Sequence, residues 1–264
     1  MARMRAARVA EPIVPECTTD DVRAAWSEVA RRWSYFVRSG LDVHRDLVHG
    51  PAMMDACGDV RGLRVLDVGC GEGWCSRQLA GRGAHVVAVD LSDAMITEAR
   101  SLPTARVDYR VMDAGDVDGR SWRFDLVAAC MSLHSMPDPE AALSAARHVL
   151  ADDGRLVCSI PHPATHTSDG EPAPLADEPL YLHAGAYYPT RSYRVWWTTA
   201  GEEWPTIRWN RPLSAYRAML AGAGFAVHAL LEPCPSQADV DRHQRLSRAG
   251  RVPNYLVLVA RPRS

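Results

Sequence analysis

A glycine-rich turn directly after an apolar segment is the part of this sequence best suited to ligand binding. An apolar run passes through Asp67 and Val68 into the turn, where Gly69, Gly71 and Gly73 alternate with other residues. Glycine lets the backbone approach a ligand that side chains would exclude, and a following helix presents unpaired N–H groups and a positive dipole end. The turn therefore predicts a site for a nucleotide-like cofactor.

Two further carboxylates stand at the ends of the next two apolar segments. Asp90 ends residues 86–90, and Asp113 follows residues 106–112. A carboxylate only accepts hydrogen bonds, so Asp90 suits two adjacent ribose hydroxyls and Asp113 suits an exocyclic adenine amine. Each acid alone has a plainer explanation as a turn former. Three acids at three successive strand ends are harder to explain in that way and indicate a nucleoside site.

The elements that position these residues follow from the spacing of apolar side chains. After Gly62, apolar runs alternate with helical segments, which is typical of buried parallel strands joined by crossover helices. The predicted strands are 64–68, 85–89, 106–112, 124–131, 154–160, 225–231 and 255–260, and the predicted helices are 19–39, 42–57, 74–81, 92–100, 138–150 and 212–223. This order predicts an α/β fold with a doubly wound, seven-stranded, mostly parallel sheet that binds ligands beyond the carboxyl ends of its strands.

Three parts of the chain are distinguished by composition. We expect residues 1–58 to form an N-terminal tail and helical lid, and residues 59–161 and 211–264 to form the α/β core. Residues 162–210 interrupt the alternation of strands and helices and are rich in proline, histidine and aromatic residues. We expect this insertion to be a substrate cap.

The motifs at residues 66–73 (LDVGCGEG), 89–92 (VDLS) and 112–114 (MDA) resemble the first three motifs of class I S-adenosylmethionine-dependent methyltransferases. The resemblance covers about residues 60–161, and less closely the last 50, and it is nearest to the quinone-methyltransferase-like group of small-molecule enzymes. It implies a Rossmann-like methyltransferase fold with S-adenosylmethionine as cofactor, the glycine turn holding the methionine portion. The cofactor-binding residues that it implies are Asp67, Gly69, Gly71, Gly73, Asp90, Leu91, Met112, Asp113, Ala114, Cys130 and Met131.

Two histidines at predicted strand ends are candidates for a general base. A proton must leave if the acceptor is a hydroxyl or an aromatic carbon, and histidine is the usual base near neutral pH. His134 follows the fourth strand, at a position where the resembling group often carries histidine, and His162 follows the fifth strand between two prolines. The alternatives are a structural histidine at 134 and a surface loop residue at 162.

Metal and disulfide sites are not expected. His162 and His166, with Asp169 and Glu171, stand in a stretch broken by prolines and glycine, so no helix would bring both rings to one ion. The seven cysteines include no Cys-x-x-Cys pair and are expected to be reduced thiols.

Aromatic residues locate the expected acceptor site. Eight of the nineteen aromatic residues fall between positions 181 and 209, namely Tyr181, Tyr187, Tyr188, Tyr193, Trp196, Trp197, Trp204 and Trp209. Such a group can wall a flat apolar ligand, or it can form the core of the cap itself. The residues that we expect to face the substrate are Tyr35, Phe36, Tyr188, Trp196 and Trp197.

The charge and the apolar content of the chain indicate which classes of partner to expect. With 264 residues and a net charge of −2, the chain lacks the electrostatic footprint of a nucleic-acid-binding protein. Neither a membrane-spanning run nor a secretory signal is recognisable, so we expect a cytoplasmic protein with a small-molecule substrate. All 30 basic residues are arginine, which suggests a GC-rich genome and, together with the aromatic cap, favours a bacterial natural-product pathway in secondary metabolism.

The predicted function is methyl transfer from S-adenosylmethionine to a small aromatic or heteroaromatic acceptor, on carbon, oxygen or nitrogen. Residues 132–135 (SLHS) stand where amino-directed methyltransferases carry an Asn/Asp-Pro-Pro-Tyr/Phe segment, which disfavours nucleobase amines. One alternative is an NAD(P)- or FAD-dependent oxidoreductase, but Trp74 occupies the sixth position of the dinucleotide fingerprint, where glycine is needed. Another is a regulatory subunit that binds S-adenosylmethionine without turnover.

Overall fold

The computed structural model describes residues 11–12, 17–102, 104–118, 120, 122–165, 187–199 and 201–263. The strands are β1 (Glu11–Pro12), β2 (Arg64–Val68), β3 (His85–Asp90), β4 (Val107–Val111), β5 (Phe124–Cys130), β6 (Leu150–Pro161), β7 (Arg191–Thr199), β8 (Glu202–Asn210), β9 (Phe225–Leu231) and β10 (Tyr255–Pro262). The helices are α1 (Thr19–Arg38), α2 (Gly50–Cys57), α3 (Trp74–Gly81), α4 (Asp93–Arg100), α5 (Pro139–Val149), α6 (Leu213–Gly222) and α7 (Gln237–Arg242).

Seven strands form the central sheet in the order β4-β3-β2-β5-β6-β10-β9. Neighbouring strands from β4 to β6 pair in parallel, and β10 pairs antiparallel with both β6 and β9. The α/β fold and the mostly parallel seven-stranded sheet are therefore confirmed. The chain moves outward from β2 to β4 and then returns to the other side of β2 as β5, so a crevice opens at the carboxyl ends of β2 and β5.

Helices cover both faces of the sheet, which explains why the central strands are apolar along their whole length. On one face α5 and α6 pack on the sheet through Leu143 and Leu220. On the other face α2, α3 and α4 contribute Met54, Leu79 and Ile96. All five of these side chains are at most 2% exposed.

Helix α1 lies over the carboxyl-end edge of the sheet. It begins at a capping box, in which Thr18 and Asp21 exchange hydrogen bonds, and its buried stripe packs against α4 and β8. At its end the guanidinium of Arg38 donates to the Glu72 carboxylate at 2.8 Å and to the Glu98 carbonyl at 2.7 Å. Arg38 thereby ties the end of the helix to the glycine turn.

The single helix predicted over 42–57 is in fact two segments. A π-helical turn at Arg45–His49 precedes α2, and the Gly50 N–H donates to the Arg45 carbonyl. Pro51 has no N–H group and so cannot donate to the carbonyl four residues earlier, which interrupts the α-helical ladder at this point. The wider turn places Arg45 and His49 on the inner side of the segment.

Strands β7 and β8 form an antiparallel hairpin that β1 extends to a three-stranded sheet. These strands were not predicted, because the hairpin is covered on both faces and so lacks a clear alternation of polar and apolar residues. Ile207 packs towards Val22 of α1, whereas Trp204 packs with Phe36. Among the described residues, no helix is both long enough and apolar enough to cross a membrane.

The turn from β2 to α3 is built on left-handed glycines. Gly69 has φ +67°, and a Cβ at this position would lie 2.5 Å from the Cβ of Ser132. The Ser132 hydroxyl donates to the Val68 carbonyl at 2.6 Å, so the loop after β5 is fixed against the turn. Gly73 has φ +87° and precedes α3, and a Cβ there would meet the Tyr109 hydroxyl at 2.5 Å.

We expect Gly69→Ala to lower the free energy of unfolding by roughly 1–3 kcal/mol, because alanine combines an unfavourable φ with overlap against Ser132. Gly81→Ala is the matched control: it lies in α3 with open space around it and should change stability by no more than about 1 kcal/mol, in the stabilising direction. Urea denaturation of both variants measures the difference. Equal stabilities would show that the turn does not require glycine at 69.

Candidate active site

A cavity of about 470 Å³ opens at the carboxyl ends of β2, β3 and β5, beneath α1 and the β7–β8 hairpin. Its size lies within the range of about 300–1,000 Å³ that is typical of small-molecule sites. The turn end is the part lined by Asp67, Gly69, Gly71, Asp90, Leu91, Met112, Asp113, Ala114, Cys130 and Met131. The aromatic end is the part lined by Trp26, Trp33, Asp42, Arg45, His49, Trp74, His134, Trp197, Thr206, Arg208 and Tyr255.

The backbone N–H groups of the turn are held by the end of β3. Gly69 and Cys70 both donate to the Val89 carbonyl, at 2.9 and 3.0 Å. Gly71 donates to Asp90 Oδ2 at 2.8 Å, and Ser92 donates to Asp90 Oδ1 at 2.9 Å. Each oxygen of Asp90 keeps a second lone pair for a ligand hydroxyl. The backbone thus orients the carboxylate that was predicted to bind the ribose.

Asp67 is a buried carboxyl with one oxygen left unsatisfied. Ser76 donates to its Oδ2 at 2.5 Å, whereas Oδ1 has no hydrogen-bond partner among the described residues. Burial raises the pKa of Asp67 to about 7, and the nearby charge of Asp90 acts in the same direction. A cationic or hydrogen-bonding ligand group at this point would satisfy the unpaired oxygen and favour the ionised form.

Asp113 and three apolar neighbours form the remainder of the turn end. The Gly115 N–H donates to Asp113 Oδ1 at 2.9 Å, which leaves Oδ2 of that carboxylate without a backbone partner in the hydrogen bonds described. Leu91, Met112 and Ala114 also line this part of the cavity and offer apolar surface to a flat ring. The combination suits a heterocycle with an exocyclic amine.

Cys130 and Met131 close the turn end at the carboxyl end of β5. Met131 has φ +53°, a left-handed conformation that is uncommon for residues other than glycine. Its N–H donates to the Ser159 carbonyl at 3.0 Å and lies 3.1 Å from the Ser159 hydroxyl. This bend directs the chain across the cavity instead of continuing the strand.

Gly73 is the exception among the predicted cofactor residues, because it does not line the cavity. Its positive φ and its contact with Tyr109 show that it begins α3 and packs the turn against β4.

The two predicted base candidates differ in position. His134 lines the aromatic end, and its Nδ1 is buried without a partner among the described residues. Burial first, and then the charges of Arg208 and Arg211, hold the pKa of His134 well below its usual value. His162 lies outside the cavity lining, with its Nε2 at 3.0 Å from Glu232 Oε1. The prolines therefore aim His162 at Glu232, and the expected catalytic role of His162 is not supported.

Of the five residues expected to face the substrate, Trp197 lines the cavity. Phe36 is 3% exposed and packs against Trp197 at a ring separation of 5.6 Å, behind the cavity wall. Tyr35 is 61% exposed, because adjacent positions on a helix point about 100° apart. The ring of Trp196 belongs to the opposite face of β7 from Trp197, since successive strand residues alternate.

Tyr188 is 80% exposed and does not line the cavity, so its predicted contact with the substrate is not supported. Of the other aromatic residues between 181 and 209, Tyr193, Trp204 and Trp209 are buried, and Trp204 and Trp209 pack in separate clusters with residues of α1. Tyr181, His166, Asp169 and Glu171 lie outside the described residues. Within the described ranges, no group of three or more His, Cys, Asp or Glu side chains is placed to hold a metal ion.

Sequence reasoning missed most of the aromatic end. His49 and Arg45 come from the π-helical turn, which no apolar periodicity signals. Thr206 and Arg208 come from β8, where the one usable signal is that these two polar residues alternate with apolar ones in an aromatic segment. Tyr255 is the first residue of β10 and lies under His49, with ring centroids 4.6 Å apart.

Comparison with known proteins relates part of this chain to methyltransferases. Residues 66–158 match the methyltransferase domain family. A ubiquinone biosynthesis O-methyltransferase of Xylella fastidiosa (strain 9a5c) is 43% identical over 102 residues, which cover 37% of this chain and 42% of that protein. The chain thus spans less than half the length of the curated relatives that it matches.

Two solved structures share the fold over most of their length. An S-adenosylmethionine-dependent methyltransferase from Mesorhizobium loti has a TM-score of 0.59 and 24% identity, over 80% of this chain and 96% of that one. A 1,6-didemethyltoxoflavin-N1-methyltransferase from Burkholderia thailandensis, with 1,6-didemethyltoxoflavin and S-adenosylhomocysteine bound, has a TM-score of 0.56 and 21% identity, over 97% and 95%. These likenesses confirm the predicted fold class, and the match over residues 66–158 shows that this part of the chain is similar to methyltransferase domains.

Proposed function

We propose that this protein transfers a methyl group from S-adenosylmethionine to a small aromatic or heteroaromatic acceptor held at the aromatic end of the cavity. The observation that carries this proposal is the continuity of the cavity, which joins the glycine turn and Asp90 to the walls formed by Trp33 and Trp197. A nucleoside cofactor and a flat acceptor would meet inside it. The similarity to a ubiquinone biosynthesis O-methyltransferase and to a 1,6-didemethyltoxoflavin-N1-methyltransferase supports this class of reaction.

The turn end fits the chemical groups of the cofactor. Asp90 would accept from the ribose hydroxyls, because its oxygens already face the turn with free lone pairs. Asp113 would accept from the adenine amine. The unsatisfied Oδ1 of Asp67 would receive the ammonium group of the methionine portion. Cys130 and Met131 would contact the methionine end from the end of β5.

S-adenosylmethionine supplies a methyl group that is already activated by the sulfonium, so the residues of this chain act mainly by positioning and by excluding water. Trp26, Trp33 and Trp197 enclose the aromatic end. Arg38 holds α1 over the cavity through Glu72 and Glu98. A fixed lid of this kind keeps the acceptor in line with the methyl group.

His134 would accept a proton from the acceptor when the attacking atom is a hydroxyl oxygen or an aromatic carbon. Its lowered pKa keeps the imidazole neutral at physiological pH, and the unpartnered Nδ1 is free to accept. A nitrogen acceptor with an available lone pair needs no such group before attack.

A dinucleotide cofactor fits this crevice poorly. The carboxylates of Asp67 and Asp90 line the place that a pyrophosphate would occupy, and they would repel it. The ring of Trp74, at the start of α3, packs within 2.8 Å of where a Cβ on Gly50 would lie.

A bacterial natural-product pathway is the setting that we propose for this reaction. The fact that all 30 basic residues are arginine supports it.

We expect Asp90→Ala to weaken the binding of S-adenosylhomocysteine by about 1–3 kcal/mol, through loss of charge-assisted hydrogen bonds to the ribose. Asp93→Ala removes an exposed carboxylate three residues away and is expected to leave the affinity unchanged. Calorimetric titration of wild type and both variants measures the effect. No binding of S-adenosylhomocysteine to the wild-type protein would overturn the proposed function itself.

We expect His134→Gln to lower kcat by roughly 10²–10⁴-fold on a hydroxyl acceptor, with the affinity for S-adenosylhomocysteine retained. The acceptor is found by mass spectrometry, using methyl-labelled S-adenosylmethionine with a panel of phenols. Because the pKa of His134 lies well below 6.5, its neutral form persists as the pH falls, and kcat should stay constant between about pH 8 and pH 6.5. His148→Gln, on the exposed side of α5, is the control. An unchanged kcat in His134→Gln would show that His134 is not the general base.

A further inference from the structure

Arg208 brings a positive charge into the aromatic end of the cavity. It lies on β8 opposite Tyr193 of β7, and its guanidinium stacks over the Tyr193 ring at 5.0 Å from the centroid. It lines the cavity together with Thr206, two residues earlier on the same face of the strand. Its charge also acts on two other lining residues: it adds to the effect of burial in lowering the pKa of His134, and it opposes the burial that raises the pKa of Tyr255. Arg208 therefore stands beside the place where an acceptor would react.

The guanidinium of Arg208 has no anionic partner in the part of the chain that the structure describes. Its Nε is buried without a hydrogen-bond partner, and no ion pair joins it to a carboxylate. Arg45, which lines the same end, is by contrast satisfied by the Asp46 carboxylate and the Val37 carbonyl. Arg211 nearby donates to the carbonyls of residues 136 and 137. Arg208 is thus left with its donors available to a ligand.

The remaining charges at the aromatic end do not neutralise Arg208. Asp42 is the carboxyl that lines this end, and it accepts from the Arg45 N–H at 3.1 Å. Burial raises the pKa of Asp42, which favours its neutral form. His49 is 5% exposed and its pKa is lowered to about 3, so it adds no charge. A half-buried cation without a counter-ion is costly, and a ligand anion would remove that cost.

The shape around Arg208 selects the kind of anion. Trp33 and Trp197 form an edge-to-face pair, with ring centroids 5.4 Å apart, along the same cavity. Such walls accept a flat ring. A guanidinium presents a planar fork of donors that matches a carboxylate in two parallel hydrogen bonds. The buried Nδ1 of His49, also unpartnered among the residues described, offers one further polar contact.

We propose that the acceptor of this methyltransferase is an aromatic carboxylate, and that Arg208 binds its carboxylate group. This inference rests on the proposed function and names its substrate class. Arg208 is accordingly a specificity-determining residue: it selects the acceptor and holds the ring in one orientation between the tryptophans.

The test uses the full-length protein saturated with S-adenosylhomocysteine and a matched pair of probes, 2-naphthoate and 2-naphthamide. The two have the same ring and nearly the same shape, and they differ in charge. We expect wild type to bind the carboxylate roughly tenfold to hundredfold more tightly than the amide. In Arg208→Gln this preference should disappear, because the affinity for the carboxylate falls to that for the amide. Arg208→Lys keeps the charge without the fork and should retain a reduced preference.

Arg194→Gln is the matched control, because Arg194 is an exposed arginine on β7 that does not line the cavity. It should leave both affinities unchanged. If wild type prefers the amide, shows no preference or binds neither probe, the inference is wrong. A full preference in Arg208→Gln or in Arg208→Lys also overturns it.

The affinity for S-adenosylhomocysteine is measured first on each sample. If wild type does not bind S-adenosylhomocysteine, the proposed function is rejected. If wild type binds S-adenosylhomocysteine but shows no preference for the carboxylate probe, only the inference about the acceptor is rejected. Should Arg208→Gln lose S-adenosylhomocysteine binding through misfolding, Arg208→Lys decides the role of the residue.

Discussion

Three consecutive N–H groups of the glycine turn are held by two residues at the end of the neighbouring strand, and the rest of the site depends on this contact. Gly69 and Cys70 donate to the Val89 carbonyl, and Gly71 donates to the Asp90 carboxylate. The turn can curl in this way because glycine tolerates the left-handed conformation at 69 and 71. One set of bonds therefore fixes both the open backbone of the turn and the carboxylate beside it.

Helix α1 is attached to this same point. Arg38 at the end of α1 reaches the Glu72 carboxylate, which Arg77 also contacts at 2.6 Å. Glu72 is 3% exposed, so two arginines share one buried carboxylate within the turn itself. Because α1, the turn and β3 meet here, a displacement of the turn would also displace α1, which lines the aromatic end through Trp26 and Trp33.

The α/β core could be predicted from the sequence, whereas most of the aromatic end could not. Strands such as β2 and β5 are buried on both sides, and their uninterrupted apolar runs identify them. Asp90 and Asp113 could be predicted as cavity residues because each stands at the end of an apolar run in the sequence. Arg208 and His49 reach the cavity only through the pairing of β7 with β8 and the π-helical turn at 45–49, and both depend on packing between distant segments. Both members of the neighbouring pairs Tyr35–Phe36 and Trp196–Trp197 were assigned to the substrate, since aromatic content does not reveal which neighbour points inward.

At Met131, backbone stability and the lining of the cavity call for different residues. An L-residue with a side chain adopts this conformation at a cost of about 1–2 kcal/mol, and here the N–H of the residue is bonded to Ser159. Glycine at this position would relieve the strain, but it would also remove a thioether from the cavity wall. Selection for stability would therefore favour glycine at position 131, whereas selection for a closely packed cavity wall would favour methionine.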